Sequence, residues 1–177
     1  GSLLFISDRT DWWNLYQVSA EAVHELVANG VAAEATPIAP VDAEIGVPQW
    51  VFDNSRYAVL ADGRILVAWF KLGIDHLGVI PAGGGAMIPL ESPFTALSSV
   101  RAFGYGAVVV GASATSEAVV AVLDIPPKPD IDGSTSVLAA PLRPARDLGV
   151  GAEWYSTPES ITFATSGDRF AHGLYYA

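Results

Sequence analysis

The sequence predicts an all-β fold, a partial β-propeller of about three four-stranded antiparallel blades. Residues 66–68 align with residues 4–6 at an offset of 62 residues, and residues 108–110 align with residues 66–68 at an offset of 42. Turn-forming residues separate the repeated apolar runs, and an apolar period of 3.6 residues is mostly absent. Hairpins that recur every 40–50 residues or so are typical of propeller blades.

The first repeat consists of two short strands and an insertion. Residues 3–7 and 14–18 are apolar runs separated by a polar turn. Within residues 20–36, Val23, Leu26 and Val27 have helical spacing, and Asn29-Gly30 is a suitable helix end. We expect a short helix there and an outer strand over residues 36–40.

The later repeats contain the remaining strands of two blades. Residues 55–60 precede an Asp62-Gly63 turn, a strong hairpin signal, and Gly104 and Gly106 occupy the equivalent place in the next repeat. The second strands align too, with residues 77–80 on 15–18 and residues 119–122 on 77–80. Outer strands are predicted over residues 86–90 and 134–140, with a stiff proline-rich loop over residues 125–130. The predicted blades span residues 3–40, 41–93 and 94–145, and residues 146–177 form two final strands, 159–163 and 171–176.

Composition excludes several classes of function. The chain has 177 residues, a net charge of −10 and no basic stripe, so we expect no nucleic-acid partner. It has no cysteine, and its apolar runs, such as residues 102–112, are shorter than the ~18–20 residues of a membrane-spanning helix. We therefore expect no membrane association and a cytoplasmic location. Residues 1–2, Gly-Ser, resemble the remnant of a cleaved tag.

The chain lacks a convincing catalytic nucleophile. Ser113, between Gly111 and Thr115, is the nearest match to the Gly-x-Ser-x-Gly turn of serine hydrolases, but the second glycine is missing. It also falls in a hairpin turn, whereas the motif precedes a helix. We predict no catalytic triad here. A complete small enzyme remains an alternative, and it would require turnover that Ser113→Ala abolishes.

The histidines are predicted to be surface or packing residues. None of them has a second histidine or a cysteine three or four residues away, and His76 aligns with the strand residue Asn14 of the first repeat. They are His24, His76 and His172.

The acidic residues and the glycine run are predicted to lie in turns and loops. The acids lack the Asp-x-Asp-x-Asp-Gly order of a calcium loop, and no Gly-Lys-Ser/Thr follows residues 83–85. We therefore predict no metal and no cofactor, a solvated or turn position for the acids and a loose hairpin tip at the glycines. The acids are Asp42, Glu44, Asp53 and Asp62.

The tryptophans are predicted to pack the blades or lie at their rims, with a tryptophan-lined peptide surface as the alternative. They are Trp12, Trp13, Trp50, Trp69 and Trp154. Asp8 and Arg9 could pair within the first turn, where an exposed ion pair contributes only ~0–1 kcal/mol.

Four segments carry a resemblance to a known family: residues 7–16 (SDRTDWWNLY), 42–52 (DAEIGVPQWVF), 76–80 (HLGVI) and 171–176 (AHGLYY). Together they resemble the propeller of the prolyl oligopeptidase family (peptidase S9), of the acylaminoacyl-peptidase or dipeptidyl-aminopeptidase type. The resemblance implies an N-terminal propeller and a C-terminal α/β-hydrolase domain. This chain would then hold the last three or so blades, with residues 171–176 leading into a hydrolase domain that the chain lacks.

The resemblance implies a non-catalytic function. The segment would cap the active site of a serine peptidase and restrict access to short peptides. The alternative is a stand-alone propeller-like module that binds other proteins. A binding module should close its ring, whereas open blade edges invite association, so we expect this chain to self-associate.

Overall fold

The computed structural model describes residues 1–48, 50–127 and 135–177. The strands in these ranges are β1 (Leu3–Ser7), β2 (Asn14–Val18), β3 (Thr36–Pro37), β4 (Tyr57–Val59), β5 (Ile65–Lys71), β6 (Ile74–Ile80), β7 (Ile88–Leu90), β8 (Ala96–Phe103), β9 (Gly106–Ser113), β10 (Ser116–Asp124), β11 (Leu138–Pro141), β12 (Glu159–Ala164) and β13 (Phe170–Tyr175). An α-helix, α1 (Ala20–Asn29), follows β2, and a short 3₁₀ helix covers Ala152–Trp154.

The strands form four antiparallel sheets, which confirms the all-β, partial propeller fold. Sheet 1 has the strand order β1-β2-β3, sheet 2 β4-β5-β6-β7, sheet 3 β11-β10-β9-β8 and sheet 4 β12-β13. Sheets 2 and 3 have the expected four strands. In the described part of the chain, sheet 1 has three strands and sheet 4 only two.

The outer strands are shorter than predicted. β3 ends at Pro37, β7 covers Ile88–Leu90, and β11 begins at Leu138. Each of these strands contains a proline, which lacks a backbone N–H and is tolerated only at a sheet edge. Residue 134 of the predicted outer strand and residues 128–130 of the predicted proline loop lie outside the described residues.

The predicted helix is confirmed as α1, and both of its ends have caps. The Ser19 hydroxyl accepts a hydrogen bond from the Ala22 backbone N–H at 3.1 Å. At the other end, Gly30 adopts a left-handed conformation with φ +68°, and its N–H donates to the Leu26 carbonyl. No residue of α1 is buried, so the helix contributes no side chain to the buried core.

Strand β5 packs on both of its faces. Successive side chains of a strand point to opposite faces of the sheet. Val67 belongs to a buried cluster with Leu15 of sheet 1, whereas Leu66 and Ala68 belong to the larger cluster between sheets 2 and 3. Because Leu66, Val67 and Ala68 are all fully buried, sheet 2 is the middle layer of a three-sheet stack.

The third repeat contains one residue more than the alignment predicts. In sheet 2, Leu66 pairs with Val79, but the equivalent Val108 of sheet 3 pairs with Val122, so β10 follows at an offset of 43. The predicted match of residues 119–122 to residues 77–80 is therefore wrong by one residue. A register shift after Ser116 absorbs the extra residue, as β-bulges do.

Gly106 is required where β9 passes close to β10, which provides a test of this packing. A Cβ at this position would lie 2.0 Å from the Leu123 carbonyl oxygen, and backbone atoms cannot move aside cheaply. We expect Gly106→Ala to lower the free energy of unfolding by about 1–3 kcal/mol in urea titrations. Gly83→Ala is the matched control, since a Cβ there would meet nothing within 4 Å, and it should change stability by less than ~0.5 kcal/mol. Equal effects of the two substitutions would contradict this account.

Candidate functional site

A buried ion pair lies where three parts of the chain meet. The Arg56 guanidinium contacts the Asp75 carboxylate at 2.5 Å, and the side chains are only 4% and 11% exposed. Arg56 also donates to the carbonyl oxygens of Ile45 and Leu97, and Asp75 accepts the Leu97 N–H at 2.6 Å. The pair therefore joins the segment after sheet 1 to sheets 2 and 3.

Two further polar contacts hold sheet 1 in place. The buried Asn14 side chain accepts from the Val41 N–H and donates to the Val41 carbonyl, both at 2.9 Å. The Tyr57 hydroxyl donates to the Leu4 carbonyl at 3.0 Å, which links β4 to β1. Burial raises the pKa of Tyr57, so this phenol stays protonated as a donor at neutral pH.

Sheet 3 has one face that no other described sheet covers. We call it the valine face: Val108, Val110, Val120 and Val122, which share one side of β9 and β10 by register. Val120 is 44% exposed and the other three are half-buried. The matching positions Leu66 and Ala68 in sheet 2 are fully buried against sheet 3.

Sheet 1 has an outward face at the other end of the stack. By register this face carries Leu3, Phe5, Tyr16 and Val18. Leu3 is 53% exposed and Phe5 is half-buried, whereas Tyr16 and Val18 are buried, at 1% and 6% exposure. The rings of Phe5 and Tyr16 stack with centroids 6.0 Å apart. The outward face of sheet 1 is therefore largely covered, whereas the valine face at the other end of the stack is not.

A cleft of about 590 Å³ opens where the β1–β2 loop, the β5–β6 turn and sheet 4 approach one another. We call it the hairpin cleft. Its lining residues are Trp12, Asp42, Ala43, Glu44, Phe70, Lys71, Leu72, Gly73, His172 and Gly173.

Sheet 4 forms one wall of the hairpin cleft by docking on the β5–β6 turn. A Cβ on Gly73 would lie 2.7 Å from a methyl carbon of Leu174, so glycine allows Leu174 to approach the turn this closely. The Ser160 hydroxyl donates to the Leu72 carbonyl at 3.3 Å. Two separate parts of the final hairpin therefore hold it against sheet 2.

The hairpin cleft contains charges of both signs. Glu44 accepts the Trp13 N–H at 2.9 Å through Oε2, and its backbone forms a β-bridge with Phe70. Glu44 is therefore half-buried and anchored, which differs from the solvated position that the sequence predicts. Asp42 and Lys71 are exposed at the rim of the cleft.

Ser113 lies at the β9–β10 turn among other hydroxyl groups. Its Oγ is 3.0 Å from Ser116 Oγ and accepts the Thr115 N–H at 3.2 Å. No histidine is among its hydrogen-bond partners within the described residues. These neighbours are not general bases, so the contacts do not activate Ser113 as a nucleophile.

The three histidines lie on three different elements, α1, β6 and β13. His24 is exposed on α1, and the His76 ring stacks on Trp69 with centroids 5.4 Å apart. Nδ1 of His172 lies 2.8 Å from Thr162 Oγ1 beside the hairpin cleft. In the ranges that the structure describes, no group of three or more His, Asp or Glu side chains could hold a metal ion.

Arg9 does not pair with Asp8, so that expectation was wrong. Its guanidinium lies over the rings of Tyr16 and Phe5, 4.7 and 5.4 Å from their centroids, and its Nε donates to Ser7. The physical reason is that an exposed carboxylate gains little from pairing, whereas a cation over an aromatic face contributes about 0.5–1 kcal/mol.

Two of the four predicted turn acids lie in turns, where each pairs with an arginine. Asp53 pairs with Arg101 at 2.9 Å and Asp62 with Arg64 at 2.7 Å. For Asp62, desolvation acts to raise the pKa, but hydrogen bonds from the Arg64 backbone and guanidinium hold it below its usual value. Arg64 also donates to the Pro126 carbonyl, so this turn contacts the end of sheet 3.

The tryptophans divide between packing and rim positions. Trp13 and Trp69 are half-buried, whereas Trp50 and Trp154 are 80% and 77% exposed. Trp12 is 39% exposed and lines the hairpin cleft.

The Arg56–Asp75 pair was not predicted from the sequence, because 19 residues separate its members. One signal was available, since each charged residue interrupts or adjoins an apolar strand. The hairpin cleft gave no comparable signal, because its walls come from three distant segments.

None of the helices among the described residues is long and apolar enough to cross a membrane.

The stacked four-stranded sheets define a segment of a β-propeller. No protein-family model and no curated protein matches the sequence. Among solved structures, the chain is similar to puromycin hydrolase, with 29% identity and a TM-score of 0.75, and equally to a mutant of that enzyme complexed with PGG. It is also similar to a puromycin-hydrolyzing peptidase of Mycobacterium tuberculosis, with 26% identity and a TM-score of 0.74. These matches cover 98–99% of this chain but only 24% of each of those chains.

The buried ion pair gives a direct stability test. Asp75→Asn leaves the buried Arg56 guanidinium without its counter-charge, and we expect a loss of about 3–5 kcal/mol in the free energy of unfolding. Asp53→Asn removes an exposed ion pair, so it should cost at most ~1 kcal/mol. The double variant Arg56→Met/Asp75→Leu should be less destabilised than Asp75→Asn, because it leaves no unpaired charge. Urea titrations measure all three, and equal costs for Asp75→Asn and Asp53→Asn would contradict the assigned role.

Proposed function

We propose that this chain is a non-catalytic propeller segment of a serine peptidase of the prolyl oligopeptidase family, of the acylaminoacyl-peptidase or dipeptidyl-aminopeptidase type. The observation that carries the proposal is the 29% identity to puromycin hydrolase over 99% of this chain. The match to only 24% of that enzyme is consistent with a role for this chain as one part of a larger peptidase.

The valine face supports an assembly with more sheets. A propeller ring contains about four to eight blades, and each inner face packs on a neighbour. The valine face is an apolar surface of the kind that a further blade covers. We therefore propose that this face is buried in the parent protein, which also contains a hydrolase domain that carries the catalytic residues.

The role that we propose for the assembled propeller is to cap the active site. A covering ring admits short, flexible peptides and excludes folded chains, and it keeps bulk water from the reaction. Peptides are then the substrates of the parent, whereas this segment contributes walls and no reacting group.

The coding sequence around this segment provides the first test. We expect a Gly-x-Ser-x-Gly motif downstream of residue 177, followed by an aspartate and then a histidine, in the chain order of α/β-hydrolases. We also expect further strand repeats upstream. A stop codon directly after the segment, with no blades upstream, would instead favour a stand-alone binding module.

Size selectivity of the parent enzyme tests the capping role. We expect kcat/KM to fall by at least about tenfold between a tripeptide and an unfolded peptide of about 30 residues, because the longer chain must thread into the ring. Asp75→Asn loosens the sheet stack and should reduce this ratio, whereas Asp53→Asn should leave it unchanged. A wild-type enzyme that cleaves both lengths equally well would exclude capping.

We further propose that the isolated chain self-associates, chiefly through the valine face and its sheet edges. The valine face is the best defined of these surfaces, since four β-branched side chains line one side of two paired strands. The equivalent residues of sheet 2, Leu66 and Ala68, are fully buried against the neighbouring sheet 3.

A charge on the valine face should weaken this association. We expect Val120→Glu to shift sedimentation-velocity profiles towards the monomer. The dissociation constant of the dimer should rise about tenfold or more. Val27→Glu on α1 is the matched control, because Val27 is 80% exposed and lies away from sheet 3. A wild-type chain that remains monomeric up to about 100 μM would contradict the self-association proposal without affecting the peptidase proposal.

A further inference from the structure

The hairpin cleft has the size of a small-ligand site. Its volume of about 590 Å³ falls within the range of about 300–1,000 Å³ that is typical of ligand pockets. Two aromatic side chains, Trp12 and Phe70, line it while remaining 39% and 46% exposed. Aromatic faces that stay accessible inside a cleft can hold a third ring by stacking.

The charges of the cleft are arranged for a ligand with both signs. Glu44 is fixed by the Trp13 N–H through one carboxylate oxygen, which leaves the other oxygen free of that bond. Asp42 adds a second carboxylate, and Lys71 supplies an ammonium group. In the described chain, Asp42, Glu44 and Lys71 form none of the side-chain ion pairs that the other charged residues make.

The β5–β6 turn has an unusual residue at its tip. Leu72 adopts a left-handed conformation with φ +51°, followed by Gly73 with φ +91°. Two-residue turns of this type favour asparagine or glycine at the first position, because a larger side chain is strained there. The turn nevertheless carries leucine, and Leu72 is one of the residues that line the cleft.

We propose that the hairpin cleft binds a short zwitterionic peptide that carries an aromatic side chain. The ammonium group of the peptide contacts Glu44 and Asp42, its carboxylate contacts Lys71, and its ring packs between Trp12 and Phe70. This binding requires no hydrolase domain, so it stands or falls separately from the peptidase proposal.

Titration of the isolated chain with the dipeptide Gly-Phe tests this proposal. The five tryptophans give five indole N–H signals, and the Trp12 signal is assigned by its loss in Trp12→Phe. We expect saturable shifts of the Trp12 signal with a Kd of about 0.1–1 mM, an affinity reasonable for a ligand of this size. Trp154 is 77% exposed and lies outside the cleft, so its signal serves as the internal control and should not move.

Changes in the ligand separate charge from stacking. N-acetyl-Gly-Phe-amide lacks both charges and should bind at least about tenfold more weakly than Gly-Phe. Gly-Ala retains the charges but lacks the ring, and it should bind about fivefold more weakly. Equal affinity for Gly-Phe and its capped form would overturn the assigned chemistry.

Substitutions assign the contacts to residues. Glu44→Gln keeps an acceptor for the Trp13 N–H but removes the charge, and Lys71→Met keeps an unbranched side chain but removes the ammonium group. Each should weaken Gly-Phe binding about fivefold to tenfold. Glu117→Gln, on sheet 3 and outside the cleft, is the control for loss of a carboxylate and should leave binding unchanged. No shift of the Trp12 signal at 10 mM Gly-Phe in the folded wild type would refute the site.

Discussion

The Arg56–Asp75 ion pair connects the three sheets through the backbone rather than through apolar contacts alone. Both charged groups are almost fully removed from water, so their desolvation costs several kcal/mol per ion. That cost is offset because Ile45 and Leu97 supply hydrogen bonds to the same two side chains. Apolar packing between sheets tolerates sliding, whereas this network fixes how sheets 2 and 3 align with the segment that leaves sheet 1.

Apolar packing then extends the stack in both directions. Every residue of the central part of β5 is buried, because odd-numbered side chains meet sheet 1 and even-numbered ones meet sheet 3. Sheet 3 repeats this alternation on β9, but only Ala107 and Val109 find a partner sheet. The alternation of side chains places the half-exposed valines on the other face of sheet 3. Because each sheet of a propeller packs on a neighbour on both sides, apolar residues are expected on that face as well.

The local parts of this fold could be predicted from sequence, whereas the contacts between distant parts could not. Hairpins, the helix over residues 20–29 and the turn at Asp62-Gly63 follow from short-range patterns, and the structure confirms them. The bulge after Ser116 escaped detection because a one-residue insertion barely changes an apolar run such as residues 119–122. The Arg9 prediction failed because it considered only sequence neighbours, and the aromatic rings that Arg9 covers belong to both strands of the hairpin.

The hairpin cleft illustrates the same limit in a functional setting. Its chemistry is visible in single residues such as Glu44 and Lys71, but its shape depends on the docking of sheet 4 through Leu174 onto Gly73, about 100 residues earlier. Two separate features favour glycine at position 73: the positive φ of the backbone and the close approach of Leu174. Because sheet 4 closes one side of the cleft, any change in how this hairpin docks alters the width of the cleft. If the cleft binds the peptide that we propose, binding and the position of β13 would be coupled through this one turn of sheet 2.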